Sequence, residues 1–258
     1  MCGEDKNREG ASAEALPDRG AERWSAPGKR SSAGRLRWMH DQLAAAYGPQ
    51  HWWPAKTPFE VILGAYLTQN TAWKAVERSL DNLRQAGALT VAGLRALTVE
   101  ELRRLIQPSG FYMRKAPSIK AFVALLDAEF AGSLDRMAAA PTEPLRAKLL
   151  ALPGVGAETA DAILLYALGH AVPMADEYLR RIAVRHALIE SSTKTIRYQA
   201  LSELTRAAFA ADSEEARAAL YNEFHALTVA VGKAHCGRTA RCEGCPLAED
   251  LSPGARFS

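Results

Sequence analysis

Leu152-Pro153-Gly154-Val155-Gly156 runs into Ala157-Glu158-Thr159-Ala160-Asp161-Ala162-Ile163, and Asp176 follows twenty residues after Gly156. Two glycines around one residue let the backbone turn tightly and let a ligand come close. The first turn of the helix that follows has N–H groups without intrahelical partners and the positive end of the helix dipole. A phosphate is held naturally at such a place. The pattern is not a P-loop, because no Gly-Lys-Ser/Thr follows. Nor is it a dinucleotide fingerprint, because no strand precedes it. Taken alone, the turn can also be a plain link between two helices. Asp176 taken alone is a helix N-cap. The two roles are compatible, since a carboxylate at a helix start is fixed in place and kept ionised.

On both sides of the turn the pattern is helical. Leu36, Met39, Leu43 and Tyr47 keep a 3–4 spacing. Thr57-Pro58-Phe59-Glu60 combines a cap, a proline at the first position and the glutamate of a capping box, which predicts a helix from 58 to about 68. Another is predicted over Thr71–Gln85, with Val76, Leu80 and Leu83 on one face. Thr98-Val99-Glu100-Glu101 is a second capping box, and Gln107-Pro108-Ser109-Gly110 breaks the helix it starts. Segments 114–129, 143–151, 157–168, 177–189, 196–211 and 213–231 also read as helices, and Gly169 stands where a C-terminal glycine cap belongs. No useful β alternation, internal repeat or heptad appears. The expectation is an all-α chain of about ten short helices.

The 258 residues suffice for one large domain or two modest ones. A net charge of +3 permits nucleic-acid binding without demanding it. No apolar run approaches the roughly 18 residues of a membrane span, and residues 61–67 read as a buried helix segment instead. The polar start of the chain lacks the apolar core of a secretory signal, so a cytoplasmic location is expected. Residues 1–35 lack periodicity and read as a disordered tail in which Trp24 is incidental. Besides Cys2, the cysteines are the cluster Cys236, Cys242 and Cys245, a spacing that favours metal or cluster ligation over disulfides in an unexported chain.

The Leu-Pro-Gly-Val-Gly turn, the Thr-Ala helix behind it and Asp176 at that separation resemble the helix-hairpin-helix DNA glycosylase superfamily, in its endonuclease III branch. The resemblance runs from about residue 36 to 246. It implies that Leu152, Gly154, Val155 and Gly156 form a hairpin holding a DNA backbone phosphate with the help of a monovalent cation. It also implies that Asp176 assists cleavage of the bond between base and sugar. Bifunctional members place a lysine two residues after the second hairpin glycine, where its amine forms a Schiff base. Glu158 stands there in this chain and cannot do so, which predicts a monofunctional enzyme without efficient β-lyase activity. Taken alone, Glu158 is a solvated first-turn residue favoured by the dipole.

Three further stretches are similar to the 3-methyladenine DNA glycosylase subgroup of that branch: His51-Trp52-Trp53-Pro54, Leu67-Thr68-Gln69-Asn70-Thr71-Ala72-Trp73 and Gln107-Pro108-Ser109-Gly110-Phe111-Tyr112. The likeness implies an aromatic pocket for a flipped base, with Trp53 and Pro54 on one side and Trp73 near the other. Gln69 would reach into the gap the base leaves, and Phe111 would be the wedge on the opposite strand. An N3-alkylated purine carries positive charge, so stacking and cation–π attraction of roughly 0.5–2 kcal/mol per contact can recognise it. The plain alternatives are core tryptophans, a helix-end amide and a buried aromatic. Leu227 stands where the subgroup can carry a lysine after Phe224-His225, which leaves the exact base open.

Cys236, Cys242 and Cys245 resemble the C-terminal 4Fe–4S loop of endonuclease III. The fourth thiolate would fall near 251, where this chain has Leu251, with His235 or Cys2 as substitutes. A labile cluster, another metal and a vestigial loop all stay open at this point. The expected architecture is two helical lobes around a DNA-binding cleft. Residues 57–171 would form one lobe and carry the hairpin; residues 36–56 plus 172–258 would form the other. The partner would be double-stranded DNA with a damaged base, bound by a monomer. The alternatives are an endonuclease III-type glycosylase for oxidised or mismatched bases and a non-catalytic module that reads duplex shape.

Overall fold

The computed structural model describes residues 30–53, 55–189 and 198–251. The tail up to residue 29, Trp24, Cys2 and Pro54 lie outside the described residues. Among the described residues the protein is all-α, with no strand beyond an isolated Cys236–Ala240 bridge. None of these helices is long and apolar enough to cross a membrane.

Helix α1 is Ser32–Tyr47, so it begins inside the segment expected to be tail. Ser31 causes this by accepting the Gly34 N–H at 3.1 Å as an N-cap, a signal masked by the polar residues around it. Helix α2 (Pro58–Thr68) starts at the predicted Thr57 cap and is buried from Phe59 to Leu67. Its capping box differs from expectation. Glu60 reaches past Thr57 to the Lys56 N–H (3.1 Å) and is clamped by Arg84 (2.6 Å). Helix α3 (Trp73–Gln85) begins two residues later than expected, because Asn70 takes a left-handed φ of 52° and Thr71 turns its hydroxyl to the Ser109 carbonyl at 2.6 Å.

Helices α4 (Val91–Ala96) and α7 (Leu134–Ala138) were not expected. Thr90 and Ser133 cap them, but each buries a single residue, Leu94 or Met137, too few to show a period. Between them lie α5 (Val99–Leu105), with its full Thr98–Glu101 capping box, and the long α6 (Tyr112–Phe130). The break at Gln107–Gly110 is present as a 3₁₀ turn ending in Gly110 at φ +61°. Then follow α8 (Thr142–Leu150), α9 (Ala157–Ala162), α10 (Glu177–Arg185), α11 (Tyr198–Ala208) and α12 (Glu214–Ala234). The helix expected over 157–168 changes character at its middle, where Ile163–Ala167 widen into a π turn before Gly169 caps it at φ +74°.

The packing falls into two groups. α2 packs on α3, α6 and α9, and α8 packs on α9. In the second group α12 lies against α1 and α10. The π turn touches both α2 and α12, so it sits where the groups meet. Gly232 permits the α10–α12 approach, since a Cβ there would lie 2.1 Å from Tyr178 Cδ1.

One buried ionic cluster ties the ends of the second group together. Arg35 donates to both Asp250 oxygens (2.9 and 2.5 Å) and to the His186 carbonyl (2.7 Å), and His186 Nδ1 lies 2.9 Å from Asp250. Burial pushes the Asp250 carboxyl up, but hydrogen bonds from His186 and Arg35 outweigh it and hold the group below its ordinary value. Removing one partner strands the others without water. Asp250→Ala should therefore cost about 3–5 kcal/mol in a denaturant titration at neutral pH. The depressed carboxyl contributes its stabilisation above its unfolded pKa and loses it as pH falls through the folded one, so the gap between the two proteins should close in acid. A gap independent of pH would contradict this account.

Candidate active site

The hairpin is built as its glycines require. Gly154 has φ +76°, and a Cβ there would lie 2.6 Å from Ser118 Oγ on α6, so side chains are excluded twice over. Gly156 is different: its φ is −96°, and a Cβ would meet nothing within 4 Å. Its lack of a side chain leaves space open in front of the α9 N-terminus. Val155 is buried and Leu152 half-buried, anchoring the turn. Gln69 at the end of α2 donates to the Gly154 carbonyl (3.0 Å) and to Thr159 Oγ (2.9 Å).

Lys115, which the sequence reading missed, joins the neighbouring loops. Only 3% exposed, its ammonium donates to the Leu67 carbonyl, Thr71 Oγ and the Ser109 carbonyl at 2.7–2.9 Å. Burial pushes its pKa down to about 8. The Gln69 loop and the Ser109-Gly110-Phe111 loop are thereby fixed to one cation. Phe111 sits in left-handed conformation at the start of α6 and is 60% exposed, which overturns the buried-aromatic alternative.

Trp53 and Trp73 meet edge to face at 5.6 Å, and Trp53 packs on Tyr166 at 5.3 Å. Gly64 on α2 makes room for the Trp53 indole. Trp52 and Trp53, with Lys56, Thr57, Tyr166 and Asn222, line a pocket of about 280 Å³. Trp73 and Asp176 are not among its walls, so the tryptophan pair and the pocket share only the Trp53 side.

Asp176 caps α10 by accepting the Leu179 N–H at 2.9 Å, and its side chain is 11% exposed. Its other oxygen lies 3.4 Å from His225 Nε2 on α12, long for a hydrogen bond but close for charge coupling. Burial pushes the carboxyl up, yet His225 and the Leu179 and Tyr178 amides prevail, so it lies below its ordinary value. It is ionised at neutral pH. Glu158, in the first turn of α9, shows the opposite balance. Its surface is open to solvent on one side, but the protein around it and then the Asp176 charge push its carboxyl up. Two carboxyl groups of unlike strength thus stand close together.

The cysteine loop lies apart from this site. Cys236 is buried and takes a hydrogen bond from Arg185 at 2.9 Å, while Leu251 fills the position of a fourth thiolate as a buried apolar residue. Among the described residues no three His, Cys, Asp or Glu side chains gather closely enough to hold a metal. These residues do not fit a four-thiolate cluster. His225 and Tyr166 were also missed as site residues, because Tyr166 ends the apolar run Ile163-Leu164-Leu165 and reads as core.

A model of the HhH-GPD superfamily of base excision DNA repair proteins matches residues 63–207. The chain belongs to this superfamily. It is 39% identical over 205 residues to a Methanocaldococcus jannaschii protein provisionally named a DNA repair glycosylase, covering 79% of this chain and 89% of that one. It is 25% identical to Bacillus subtilis endonuclease III over 191 residues, 74% of this chain and 78% of the other. Among solved structures, the H. pylori 3-methyladenine DNA glycosylase bound to 1,N6-ethenoadenine superposes with a TM-score of 0.66 at 27% identity, covering 80% of this chain and 98% of that one. An endonuclease III–DNA covalent intermediate superposes with a TM-score of 0.68 at 22% identity, over 86% and 96% of the two chains, and shows the shared fold.

The two hairpin glycines should separate in a thermal or denaturant melt. Gly154→Ala forces a side chain into the left-handed region and against Ser118, so a loss of at least about 1–2 kcal/mol is expected. Gly156→Ala should leave stability unchanged. Equal losses at both positions would contradict the conformational assignment.

Proposed function

We propose that this DNA glycosylase is monofunctional and removes alkylated, 3-methyladenine-like bases, with Asp176 acting on the glycosidic bond. The observation that carries the reading is Glu158 beside Asp176. The position that would supply a Schiff-base amine holds a carboxyl instead, raised above its ordinary value, and the neighbouring Asp176 carboxyl lies below its own. A base must leave the duplex before it can be cut from its sugar, at a cost of a few kcal/mol. Breaking that bond develops oxocarbenium character on the sugar. Ionised Asp176 stabilises the cation and orients water toward it.

The Trp53–Trp73–Tyr166 cluster supports an aromatic pocket, in which a cationic purine gains most from stacking. The likeness to a glycosylase bound to 1,N6-ethenoadenine points the same way. The open space at Gly156 suits a phosphate against the α9 amides. The Leu152 and Gly154 carbonyls each accept one hydrogen bond and keep a lone pair, which fits a monovalent cation there. Gln69 and exposed Phe111 would enter the duplex from the two adjoining loops. The lobes 57–171 and 36–56 plus 172–258 would flank the DNA, bound by a monomer.

Wild-type protein should release 3-methyladenine or 1,N6-ethenoadenine from duplex DNA, and borohydride should trap no covalent adduct. Asp176→Asn should keep DNA binding and lose roughly 10²–10⁴-fold in release. Release confined to oxidised or mismatched bases would favour an endonuclease III-type specificity. Binding without any release would favour a non-catalytic module. A trapped adduct would overturn the monofunctional assignment.

A further inference from the structure

Asp176 does not stand alone behind the cleft. Tyr166 on the π turn hydrogen-bonds His225 Nδ1 through its hydroxyl, and the opposite nitrogen of that ring faces Asp176 Oδ2 at 3.4 Å. His225 is 5% exposed, and its Nε2 has no hydrogen-bond partner of good geometry. The Tyr166 ring also packs, tilted, against Trp53 with centroids 5.3 Å apart. Four side chains from four elements are therefore in series: Trp53, Tyr166, His225, Asp176. The widened π turn carries Tyr166 in the middle of this series, and such turns recur at functional sites.

We infer that His225, oriented by Tyr166, is a positioning residue that holds Asp176 ionised and links it to the aromatic wall at Trp53. The inference rests on Asp176 being the carboxylate of the proposed reaction. Burial, then the Asp176 and Glu223 charges, push the Tyr166 phenol well above its ordinary value, so it keeps its proton. It then donates to Nδ1. With Nδ1 accepting, the ring's own proton stands on Nε2, the atom turned toward the carboxylate. A donor at that atom stabilises the charged form of Asp176. This tautomer follows from the bonding pattern around the ring.

The other groups facing Asp176 are few. Glu158 on α9 opposes its ionisation by charge, the Leu179 and Tyr178 amides favour it, and Glu177 on its own helix is paired with Arg180 and Arg181. Tyr198 on α11 lies 3.5 Å from the Ala175 amide, and burial pushes its phenol up so that it stays neutral. His225 is thus the side-chain donor that offsets the neighbouring Glu158. Removing it should raise the pH at which Asp176 takes up a proton, and the acid limb of base release should move upward with it.

Two readouts on the full chain test this. Carbon NMR follows titration of the Asp176 carboxyl in the free protein, and single-turnover release from 3-methyladenine DNA is measured against pH. Compared are the wild type, Tyr166→Phe, His225→Leu and His225→Gln. His225→Leu should titrate at higher pH and run roughly threefold or more slower on the acid side, with the rates converging at high pH. His225→Gln, whose amide can reach the carboxylate from the same place, should recover much of both. Tyr166→Phe removes one oxygen and leaves the stack on Trp53, so it carries the test if His225→Leu does not fold. It should shift both readouts in the same direction. Unmoved Asp176 titration in Tyr166→Phe and the His225 variants, with rates lowered equally at every pH, would overturn the inference and leave His225 a packing residue. Moved titration in a protein that releases no base would uphold the relay and overturn the proposed reaction instead.

Discussion

An ionised carboxylate taken almost wholly out of water must be given donors, or it takes up a proton. Asp176 meets this constraint with the Leu179 amide of α10 on one oxygen and with His225 near the other. Both depend on how α10 and α12 meet. Gly232 and His225 lie seven residues apart on one face of α12. Where Gly232 has no side chain, Tyr178 fills the space. That close approach brings the start of α10 beside His225. The π turn then reaches α12 from the other group of helices and places Tyr166 on the same imidazole.

The opposite side of the site relies on a buried cation in the same way. The Lys115 ammonium satisfies three acceptors that would otherwise leave two loop ends loose. Gln69 and Phe111 therefore stand on fixed backbone, and Gln69 also holds the hairpin carbonyl. Pre-organisation of this kind lowers the ordering cost of gripping a distorted duplex. On that fixed backbone the Phe111 ring is left 60% exposed, with Met113 exposed close by in sequence.

The fold was legible because its punctuation is local. Thr57, Thr98 and Gly169 do in the structure what their chemistry requires. The hairpin was legible for the same reason, as glycine at Gly154 answers a backbone demand. The short helices at 91–96 and 134–138 were not legible, because a helix with one buried residue has no period to read. Lys115, Tyr166 and His225 escaped because their roles depend on partners 44 to 59 residues away, Thr71 for Lys115 and each other for Tyr166 and His225. The cysteine spacing was legible as a motif but not its surroundings: Leu251 is buried where a fourth thiolate would fall, and Arg185, 51 residues from Cys236, donates a hydrogen bond to its sulfur.

The central claim is geometric: a damaged nucleotide turned out of the duplex, its base against Trp53 and its sugar beside Asp176. A crystal structure of Asp176→Asn with a duplex containing one 1,N6-ethenoadenine tests it most directly. The account predicts an extruded base stacked on the Trp53 side, the sugar carbon of the glycosidic bond next to residue 176, and a phosphate against the Gly156 end of α9. A base still stacked in the duplex, or an extruded one with its sugar far from residue 176, would contradict it.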